Sequence, residues 1–455
     1  MKSVTIVGGG LAGSLMALFL ANRGYQIDIF ESRTDLRLSK QDFGRSINMA
    51  LSCRGITSLK SIGLMSEVKP LMVPMRARAI YELDGTVKYQ PFGRHWDEYI
   101  NAIKRSELNR LLLNCIDKNN TININFKQTL VDIDFNKKQC IFEQDGTKQR
   151  INYTLLIGAD GASSKVRECL QQQGHIEASR DFLPHSYKEL SICLAGENIL
   201  AEERLHMWPR DSFMLLGNPN PDSSITGSLF LPNEGVYSFA SLKDESDVKH
   251  FFSEQFSDIY PHMPNVVQEF FDHPQGHLST VKCDPWYCGD NCLLIGDAAH
   301  GLVPFFGQGM NSAFEDCRIL NELLEQHDDQ WEIVLPKFYQ ERKPNTDAVA
   351  AMSMDNYYEI RHAVLEPQFL VRKALENELM RRYPDQYISR HVMVMFTNLP
   401  YKAAYEQARI QGKILDQLCE NKTSLAQIDW RTVDGLIENN VLNTYKLIEQ
   451  TLEEE

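Results

Sequence analysis

The stretch "SVTIVGGGLAGSLMALFLANRGYQIDIFES", residues 3–32, decides the fold, because it holds the parts of one complete βαβ unit. A largely apolar run at 4–7 predicts a strand, and apolar residues then recur at helical spacing until Gly24. A second apolar run at 27–30 predicts the next strand. Two strands joined by a helix within about 30 residues are parallel, so we expect a parallel sheet at the start of the chain.

Three glycines follow the first predicted strand with the spacing Gly8-x-Gly10-x-x-Gly13. In dinucleotide-binding folds the first glycine makes a tight turn, the second lets the backbone approach a pyrophosphate, and the third lets helix and strand pack closely. A glycine-rich turn without a ligand is the alternative, and the position of the motif directly between strand and helix disfavours it. We therefore predict a dinucleotide cofactor at this turn.

The residues that end the second strand narrow the choice of cofactor. Glu31 lies where a carboxylate can accept hydrogen bonds from both hydroxyls of an adenosine ribose, which favours FAD or NAD over a 2′-phosphorylated nucleotide. Arg33 either covers the adenine or is solvated, and the sequence favours neither arrangement.

Two later strand-to-turn motifs indicate that the chain returns to the same ligand. "LLIGADGASSKVR", residues 155–167, places Asp160 after an apolar run, and "GDAAHGLVPFFGQGMNSAFEDC", residues 296–317, follows the run "NCLLIG". Asp297 in the second motif suits the hydroxyls of a flavin ribityl chain. One dinucleotide motif and this late turn fit a protein that holds FAD and binds a nicotinamide cofactor only transiently.

The helix after the late turn would point its positive N-terminal end, near Gly309, Met310 and Asn311, at the flavin. A reduced flavin carries negative charge on its pyrimidine ring, so this placement would stabilise the reduced state. His300 lies in the same motif, and we interpret it as a structural histidine rather than a general acid or base.

Composition and charge exclude several other classes of protein. The net charge of −14 argues against nucleic acid or an anionic membrane as the main partner. No apolar run reaches the roughly 18 residues of a membrane helix, and the N-terminus lacks the layout of a signal peptide. The cysteines are scattered, which indicates reduced thiols, and Cys283, Cys288 and Cys292 fit no zinc spacing. We expect a soluble, cytoplasmic protein without a metal site.

The order of the predicted elements indicates an α/β protein with a Rossmann-like FAD-binding domain, an inserted and mostly antiparallel β-sheet substrate domain, and a helical C-terminal region. The predicted FAD-binding domain is discontinuous and comprises residues 1–72, 100–174 and 283–345. The β-rich substrate domain comprises residues 73–99 and 175–282, and the helical region comprises residues 346–455.

These motifs resemble those of the single-component FAD-dependent aromatic hydroxylases, the family of p-hydroxybenzoate hydroxylase. The stretches that carry the resemblance are "IVGGGLAGS", "GRSINMALSCRG", "PMRARAIYELDG", "RSELN", "LHMWPR", "GDAAHGLVPFFGQGMNSAFEDC" and "SMDNYYEIR". They span nearly the whole chain to about residue 365. The resemblance implies that NADPH reduces bound FAD, that O2 forms a flavin C4a-hydroperoxide, and that one oxygen atom is transferred to L-kynurenine, giving 3-hydroxy-L-kynurenine.

The resemblance also implies which side chains contact each ligand. Beside the glycines and Asp160, FAD contacts are implied at Ala12, Glu31, Arg33, Ala50, Arg105, Leu130, Asp297, Met310 and Asn311. Arg78 would bind the carboxylate of the aromatic amino-acid substrate, since a guanidinium suits a carboxylate through two parallel hydrogen bonds. Asn356 would place the substrate, and Pro304 and Phe305 would form the pocket wall. The flavin performs the chemistry, so no catalytic side chain is implied.

Two substrate positions depart from the family pattern. Where the family has tyrosines that hydrogen-bond the substrate, this chain has Phe92 and His391. Loss of one hydroxyl costs about 0.5–1.5 kcal/mol, and the change keeps open the hydroxylation of another amino-bearing aromatic compound. A noncatalytic flavin-fold carrier is a further alternative, which the complete set of FAD motifs disfavours. The choice between NADPH and NADH stays open, a homodimer is compatible with the sequence, and we expect no C-terminal membrane anchor of the kind that some family members carry.

Overall fold

The computed structural model describes residues 2–38, 48–194, 200, 203–362, 367–439, 442, 444 and 446. The start of the motif "GRSINMALSCRG", residues 44–47, lies outside the described residues. The same holds for residue 1 and for parts of the predicted helical region at 346–455.

The secondary structure alternates between strands and helices in the first part of the chain and is helical at the end. The strands are β1 (Ser3–Val7), β2 (Gln26–Glu31), β3 (Asn48–Leu51), β4 (Met72–Met75), β5 (Ala77–Tyr81), β6 (Val87–Pro91), β7 (Ile100–Lys104), β8 (Ile122–Phe126), β9 (Thr129–Asp134), β10 (Gln139–Gln144), β11 (Thr147–Asn152), β12 (Leu156–Gly158), β13 (Glu177–Ile192), β14 (Arg204–Arg210), β15 (Phe213–Pro219), β16 (Ile225–Pro232), β17 (Gly276–Asp284), β18 (Tyr287–Cys288) and β19 (Cys292–Leu294). The helices are α1 (Leu11–Asn22), α2 (Cys53–Ser61), α3 (Met65–Val68), α4 (Arg105–Asp117), α5 (Lys165–Gln172), α6 (Glu245–Gln255), α7 (Val266–Asp272), α8 (Asp297–His300), α9 (Gly309–Gln326), α10 (Trp331–His362), α11 (Pro367–Arg382), α12 (Arg390–Phe396), α13 (Tyr401–Cys419) and α14 (Trp430–Glu438).

The parallel sheet predicted from residues 3–32 is present. Its strand order is β18-β19-β12-β1-β2-β8, and every neighbouring pair except β18–β19 runs parallel. Helices α1 and α9 pack against each other, and Ile6, Leu15 and Phe314 belong to one apolar core. Because β1, β12 and β19 are parallel neighbours, their carboxyl ends meet at one edge of the sheet. The predicted βαβ unit is therefore confirmed.

The second large sheet has the order β17-β13-β16-β15-β14-β5-β6 and is antiparallel except for the pair β14–β5. One face packs on α6 and α7 through a buried cluster that includes Trp208, Leu229, Phe252 and Phe256. The mostly antiparallel sheet is confirmed, and with it the α/β fold class. The domain boundaries stay a prediction.

Two smaller sheets and the C-terminal helices complete the described fold. The third sheet has the order β3-β7-β4 and is antiparallel. In the sequence, β4 leads almost directly into β5 of the second large sheet, and β7 lies between β6 of that sheet and β8 of the parallel sheet. Strands β9, β10 and β11 form a separate meander. Helices α10, α12 and α13 contribute to an apolar cluster that also contains Phe92 and Phe306. Within the described part of the chain, we find no helix with the length and apolar character that a membrane crossing requires.

Candidate active site

The glycine turn after β1 has the geometry that a bound pyrophosphate needs. Gly8 has a φ of +104°, and a Cβ there would lie 2.5 Å from the carbonyl oxygen of Ala159. A Cβ on Gly13 would lie 2.0 Å from the carbonyl oxygen of Gly8, so only glycine lets α1 approach this turn. At Gly10, by contrast, no atom from another segment of the described chain lies within 4 Å of the Cβ position. The N-terminus of α1 therefore faces open space with backbone N–H groups that no side chain caps, which fits a phosphate.

Glu31 ends β2 beside this turn, and its carboxylate is held in place. It accepts hydrogen bonds from the backbone N–H of Gly9 and from the backbone N–H and Nε of Arg33, all at 2.8 Å. Burial raises the pKa of the Glu31 carboxyl, but the hydrogen bonds and charge of Arg33 outweigh it, so the pKa lies below its usual value. Arg33 thus pairs with Glu31 while its side chain stays exposed, and its contact with the adenine stays a prediction. The ribose contact of Glu31 stays a prediction.

Asp297 is exposed although the residues on either side of it are buried. Gly296, with a φ of +58°, makes the turn that leads into α8. Oδ1 of Asp297 lies 4.0 Å from the Cβ position of Gly309, the first residue of α9. Among the described residues no side chain caps the N-terminus of α9, and the Asp297 carboxylate, an acceptor for hydroxyl groups, lies beside this positive helix end. This combination fits the ribityl chain and the reduced ring of a flavin.

The side chain of Asn311 connects the start of α9 to β3 and the residue after it through hydrogen bonds. Its Oδ1 accepts the backbone N–H of Ser52 at 2.9 Å, and its Nδ2 donates to the carbonyl oxygens of Ala50 at 2.8 Å and Gly307 at 2.9 Å. The side-chain amide is therefore occupied by the protein itself. We expect any contact of Asn311 with FAD to come from its backbone at the helix N-terminus.

The other predicted FAD residues differ in their surroundings. Ala12 is half-buried near the start of α1, and Met310 is half-buried at the start of α9. Leu130 is buried in β9, and Arg105 is exposed at the start of α4. Their contacts with FAD stay predictions.

Asp160 lies before α5 and bonds the first turn of that helix, a role that the motif did not reveal. Its carboxylate accepts from Oγ of Ser164 at 2.5 Å and from the backbone N–H groups of Lys165 at 2.7 Å and Val166 at 3.2 Å. Burial raises the pKa of the Asp160 carboxyl above its usual value, against these hydrogen bonds. The described hydrogen bonds of Asp160 therefore stabilise the start of α5. Its contact with FAD stays a prediction.

We expect replacement of Asp297 by alanine to weaken FAD binding about 10- to 150-fold, because a hydrogen bond to a charged group contributes about 1.5–3 kcal/mol. The dissociation constant is measured by titrating deflavinated protein with FAD and following flavin fluorescence. Asp290→Ala is the matched control, since Asp290 is an exposed carboxylate in the turn before β19. An unchanged FAD affinity of the D297A variant would contradict the role given to this carboxylate.

Arg78, Phe92 and His391 come from three distant parts of the chain and form one cluster. The guanidinium carbon of Arg78 lies 4.6 Å from the centroid of the Phe92 ring, and the His391 ring stacks on the same ring with centroids 5.6 Å apart. Arg78 donates to Oε1 of Gln90 at 3.4 Å, and burial lowers the pKa of Arg78 to about 10. Among the described residues no carboxylate pairs with Arg78, so its guanidinium can bind the carboxylate of a ligand.

Asn356 lies next to this cluster on α10, with its amide orientation fixed. Its Oδ1 accepts from Nη2 of Arg390 at 2.7 Å, and its Nδ2 donates to the carbonyl oxygen of Phe305 at 3.3 Å. The second hydrogen of Nδ2 is then the group that a ligand can use. Arg390 also bonds Oε1 of Glu359 at 2.9 Å. Sequence reasoning missed Arg390, although it directly precedes His391.

The turn at 304–306 lies between α8 and α9, and its role as a pocket wall stays a prediction. Pro304 is exposed and Phe305 is half-buried. Phe305 packs on Tyr357 with ring centroids 5.0 Å apart, and the hydroxyl of Tyr357 donates to Nδ1 of His185 at 3.0 Å. Sequence reasoning also missed the pair Tyr357–His185, because His185 lies in a long strand with no motif around it.

Buried charged side chains form a network that joins α9 to α2, α8 and α10. Nε of Arg342 bonds Oδ1 of Asp316 at 2.8 Å, and its Nη1 bonds Oε2 of Glu315 at 2.6 Å. Nε of Arg54 lies 3.3 Å from Oε1 of Glu315, and Nε2 of His300 donates to Oδ2 of Asp316 at 2.5 Å. His300 therefore has the structural partner expected for it. The signal for this network was the acidic pair within the apolar stretch "AFEDC", which needs buried cations nearby.

Comparison with known proteins places the whole chain among flavin enzymes. The family model described as "FAD binding domain" matches residues 1–352. A kynurenine 3-monooxygenase of Legionella pneumophila (strain Corby) is 58% identical over 438 residues, covering 96% of this chain and 98% of that protein. A kynurenine 3-monooxygenase of Myxococcus xanthus (strain DK1622) is 38% identical over 443 residues, covering 96% of this chain and 95% of that protein.

Solved structures share the fold at lower identity. The tetrameric form of 2-methyl-3-hydroxypyridine-5-carboxylic acid oxygenase has a TM-score of 0.65 at 21% identity, over 82% of this chain and 95% of that chain. PqsL of P. aeruginosa, in complex with 2-aminobenzoylacetate, has a TM-score of 0.63 at 22% identity, over 79% of this chain and 97% of that chain. The resemblance predicted from the sequence is thus confirmed. The chain belongs to the kynurenine 3-monooxygenase family of FAD-dependent hydroxylases.

Proposed function

We propose that this protein hydroxylates L-kynurenine on the ring carbon next to the amine, with NADPH and O2 as co-substrates and 3-hydroxy-L-kynurenine and water as products. The observation that carries the proposal is the guanidinium of Arg78. It lies beside Phe92 and His391 without a carboxylate partner among the described residues, in a chain 58% identical to a kynurenine 3-monooxygenase.

The residues of the site would hold and enclose the reactants. The turn at Gly8, the N-termini of α1 and α9, and Asp297 would hold FAD, which when bound supplies the electron transfer from NADPH and the activation of O2. Arg78 would fix the amino-acid end of the substrate, and the remaining Nδ2 hydrogen of Asn356 would hold a second acceptor. Phe305 would close the wall and keep water from the reacting ring.

A second candidate is the hydroxylation of another aromatic compound that carries an amine and a carboxylate. Phe92 favours it, because this buried ring offers no hydroxyl to the ligand. The flavin side of the site is the same for both candidates. Only the substrate distinguishes them.

The test is NADPH oxidation by the FAD-loaded protein with and without L-kynurenine, while hydroxylated product and hydrogen peroxide are both measured. We expect L-kynurenine to stimulate the oxidation and to yield 3-hydroxykynurenine in near-equal amount to the NADPH consumed. Stimulation that yields mainly peroxide would favour the second candidate, and no stimulation would exclude L-kynurenine. The same assay with NADH tests the choice of nicotinamide cofactor.

The assembly and the location are further predictions. A homodimer is compatible with the sequence, and light scattering after gel filtration tests the oligomeric state. We expect a cytoplasmic location, which fractionation of cells can test.

A further inference from the structure

His391 is a polar group enclosed by aromatic rings. Its ring lies 5.6 Å from the Phe92 centroid, 6.4 Å from that of Phe306 and 6.2 Å from that of Phe396. Nε2 of His391 is buried, and no hydrogen-bond partner for it is found among the described residues. A buried polar atom without a partner costs about 1–3 kcal/mol. A ligand that supplies the missing partner would recover this cost.

The charges around His391 come from four elements. Arg78 on β5, Lys373 on α11 and Arg390 on α12 are the cations whose charge reaches the ring. On α10, Glu359 pairs with Arg390 at 2.9 Å and with Lys373 at 3.7 Å. The remaining acids are Asp355 on α10, which lies 3.2 Å from Arg390, and Glu376 on α11, which lies 3.2 Å from Lys373.

Of the three cations, only Arg78 has no carboxylate partner in the described part of the chain. Its positive charge and the enclosed imidazole lie on the same Phe92 ring. Burial, together with the charges of Arg78, Lys373 and Arg390, holds the pKa of His391 well below its usual value. The imidazole is therefore neutral at neutral pH while the site holds no anion.

A carboxylate bound to Arg78 opposes the effects that keep His391 neutral. It compensates the charge of Arg78 and adds a negative group near His391, which favours the protonated ring. We propose that His391 takes up a proton when a substrate carboxylate binds beside Arg78, so that an imidazolium and a guanidinium share that carboxylate. This inference rests on the proposed function in one respect, namely that the ligand is an aromatic amino acid.

The sign of the resulting pH dependence follows from linkage. Because binding raises the pKa of His391, the bound state holds one proton more than the free state over the interval between the two pKa values. Affinity is highest below the free-state pKa and is lost as the pH rises to the bound-state pKa. Between the two pKa values the dissociation constant rises about tenfold for each pH unit, and above the bound-state pKa it is constant.

The experiment measures the dissociation constant of L-kynurenine for the FAD-loaded protein between about pH 6 and 8.5, from the change in flavin absorbance. Calorimetry in two buffers of different ionisation enthalpy counts the protons taken up. We expect the constant to rise at least about tenfold over this range, with net uptake of a proton. His391→Asn, which keeps a donor but cannot be protonated in this range, is expected to bind with an affinity that hardly changes with pH.

Two controls distinguish proton uptake by His391 from a folding defect and from effects that do not involve the substrate carboxylate. His391→Tyr guards against a folding defect of the asparagine variant, and it too is expected to lose the proton uptake while retaining FAD. 2-Aminoacetophenone, which lacks the amino-acid head, is expected to bind the wild type independently of pH. A wild-type constant for L-kynurenine that does not change with pH, or an equal slope in both His391 variants, would overturn the inference and leave the proposed function intact. No binding of L-kynurenine at any pH would overturn both.

Discussion

Replacing Arg342 by methionine is expected to lower the free energy of unfolding by about 3–5 kcal/mol, the cost of breaking a buried ion pair by removing one partner. Arg342 is 1% exposed and bonds both Asp316 and Glu315, which are 0% and 4% exposed. Burial raises the pKa of the Asp316 carboxyl, but His300 and Arg342 hold it below its usual value, so the carboxylate stays charged. The variant leaves two buried carboxylates with too little positive charge around them.

The measurement is urea unfolding of the FAD-loaded protein, followed by tryptophan fluorescence and by flavin release. Lys343→Met is the matched control, because Lys343 is the next residue of α10 and pairs with Asp347 at the surface at 2.5 Å. A surface pair contributes about 0–1 kcal/mol, so the control should unfold near the wild-type urea concentration. Equal midpoints for the R342M and K343M variants would show that the buried network does not stabilise the fold.

Replacing Arg78 by methionine is expected to reduce kcat/KM for L-kynurenine roughly 30- to 1,000-fold, or about 2–4 kcal/mol, with FAD content unchanged. The guanidinium is the cation of the cluster without a carboxylate partner among the described residues, so its loss removes the charge that orients the amino-acid end of the substrate. Arg78→Lys keeps the positive charge but loses the planar guanidinium with its two parallel donors. Its kcat/KM should lie between those of the wild type and of the R78M variant.

This prediction is checked by steady-state NADPH oxidation together with product formation. Arg381→Met is the control, because Arg381 is an exposed arginine that pairs with Glu378 at 2.6 Å on α11. The background NADPH oxidation without substrate should be the same in all variants. A kcat/KM of the R78M variant within a factor of about two of the wild type would exclude Arg78 as the carboxylate site.

Local patterns were sufficient for the flavin half of the fold. The βαβ unit at 3–32 and the glycines at Gly8 and Gly13 were predictable, because strand, turn and helix follow one another within a short stretch. The position of Asp297 in a turn between a strand and a helix was predictable for the same reason, whereas its contact with FAD stays a prediction. The capping role of Asp160 was not, since a carboxylate after a strand suits a ligand and a helix N-terminus equally well.

The substrate half depends on contacts between distant segments. Arg78 and Phe92 meet His391 only because the C-terminal helices cover the end of β6, and no periodicity in the sequence describes that packing. The residues themselves were named through the family resemblance. Arg390, which bonds Asn356, and Tyr357, which bonds His185, were missed, because both are residue types that any surface or core helix can contain.

The strand order of the parallel sheet has a consequence for synthesis of the chain. β12 pairs with β1 on one side and with β19 on the other, although β19 is made only after the whole second sheet. On the ribosome, one edge of β12 stays unpaired while residues 159–291 are made, and an open strand edge favours association with other chains. The turn that carries Asp297 follows directly on β19. FAD can therefore bind fully only after the chain has been made to residue 297, when β19 is available to pair with the open edge of β12.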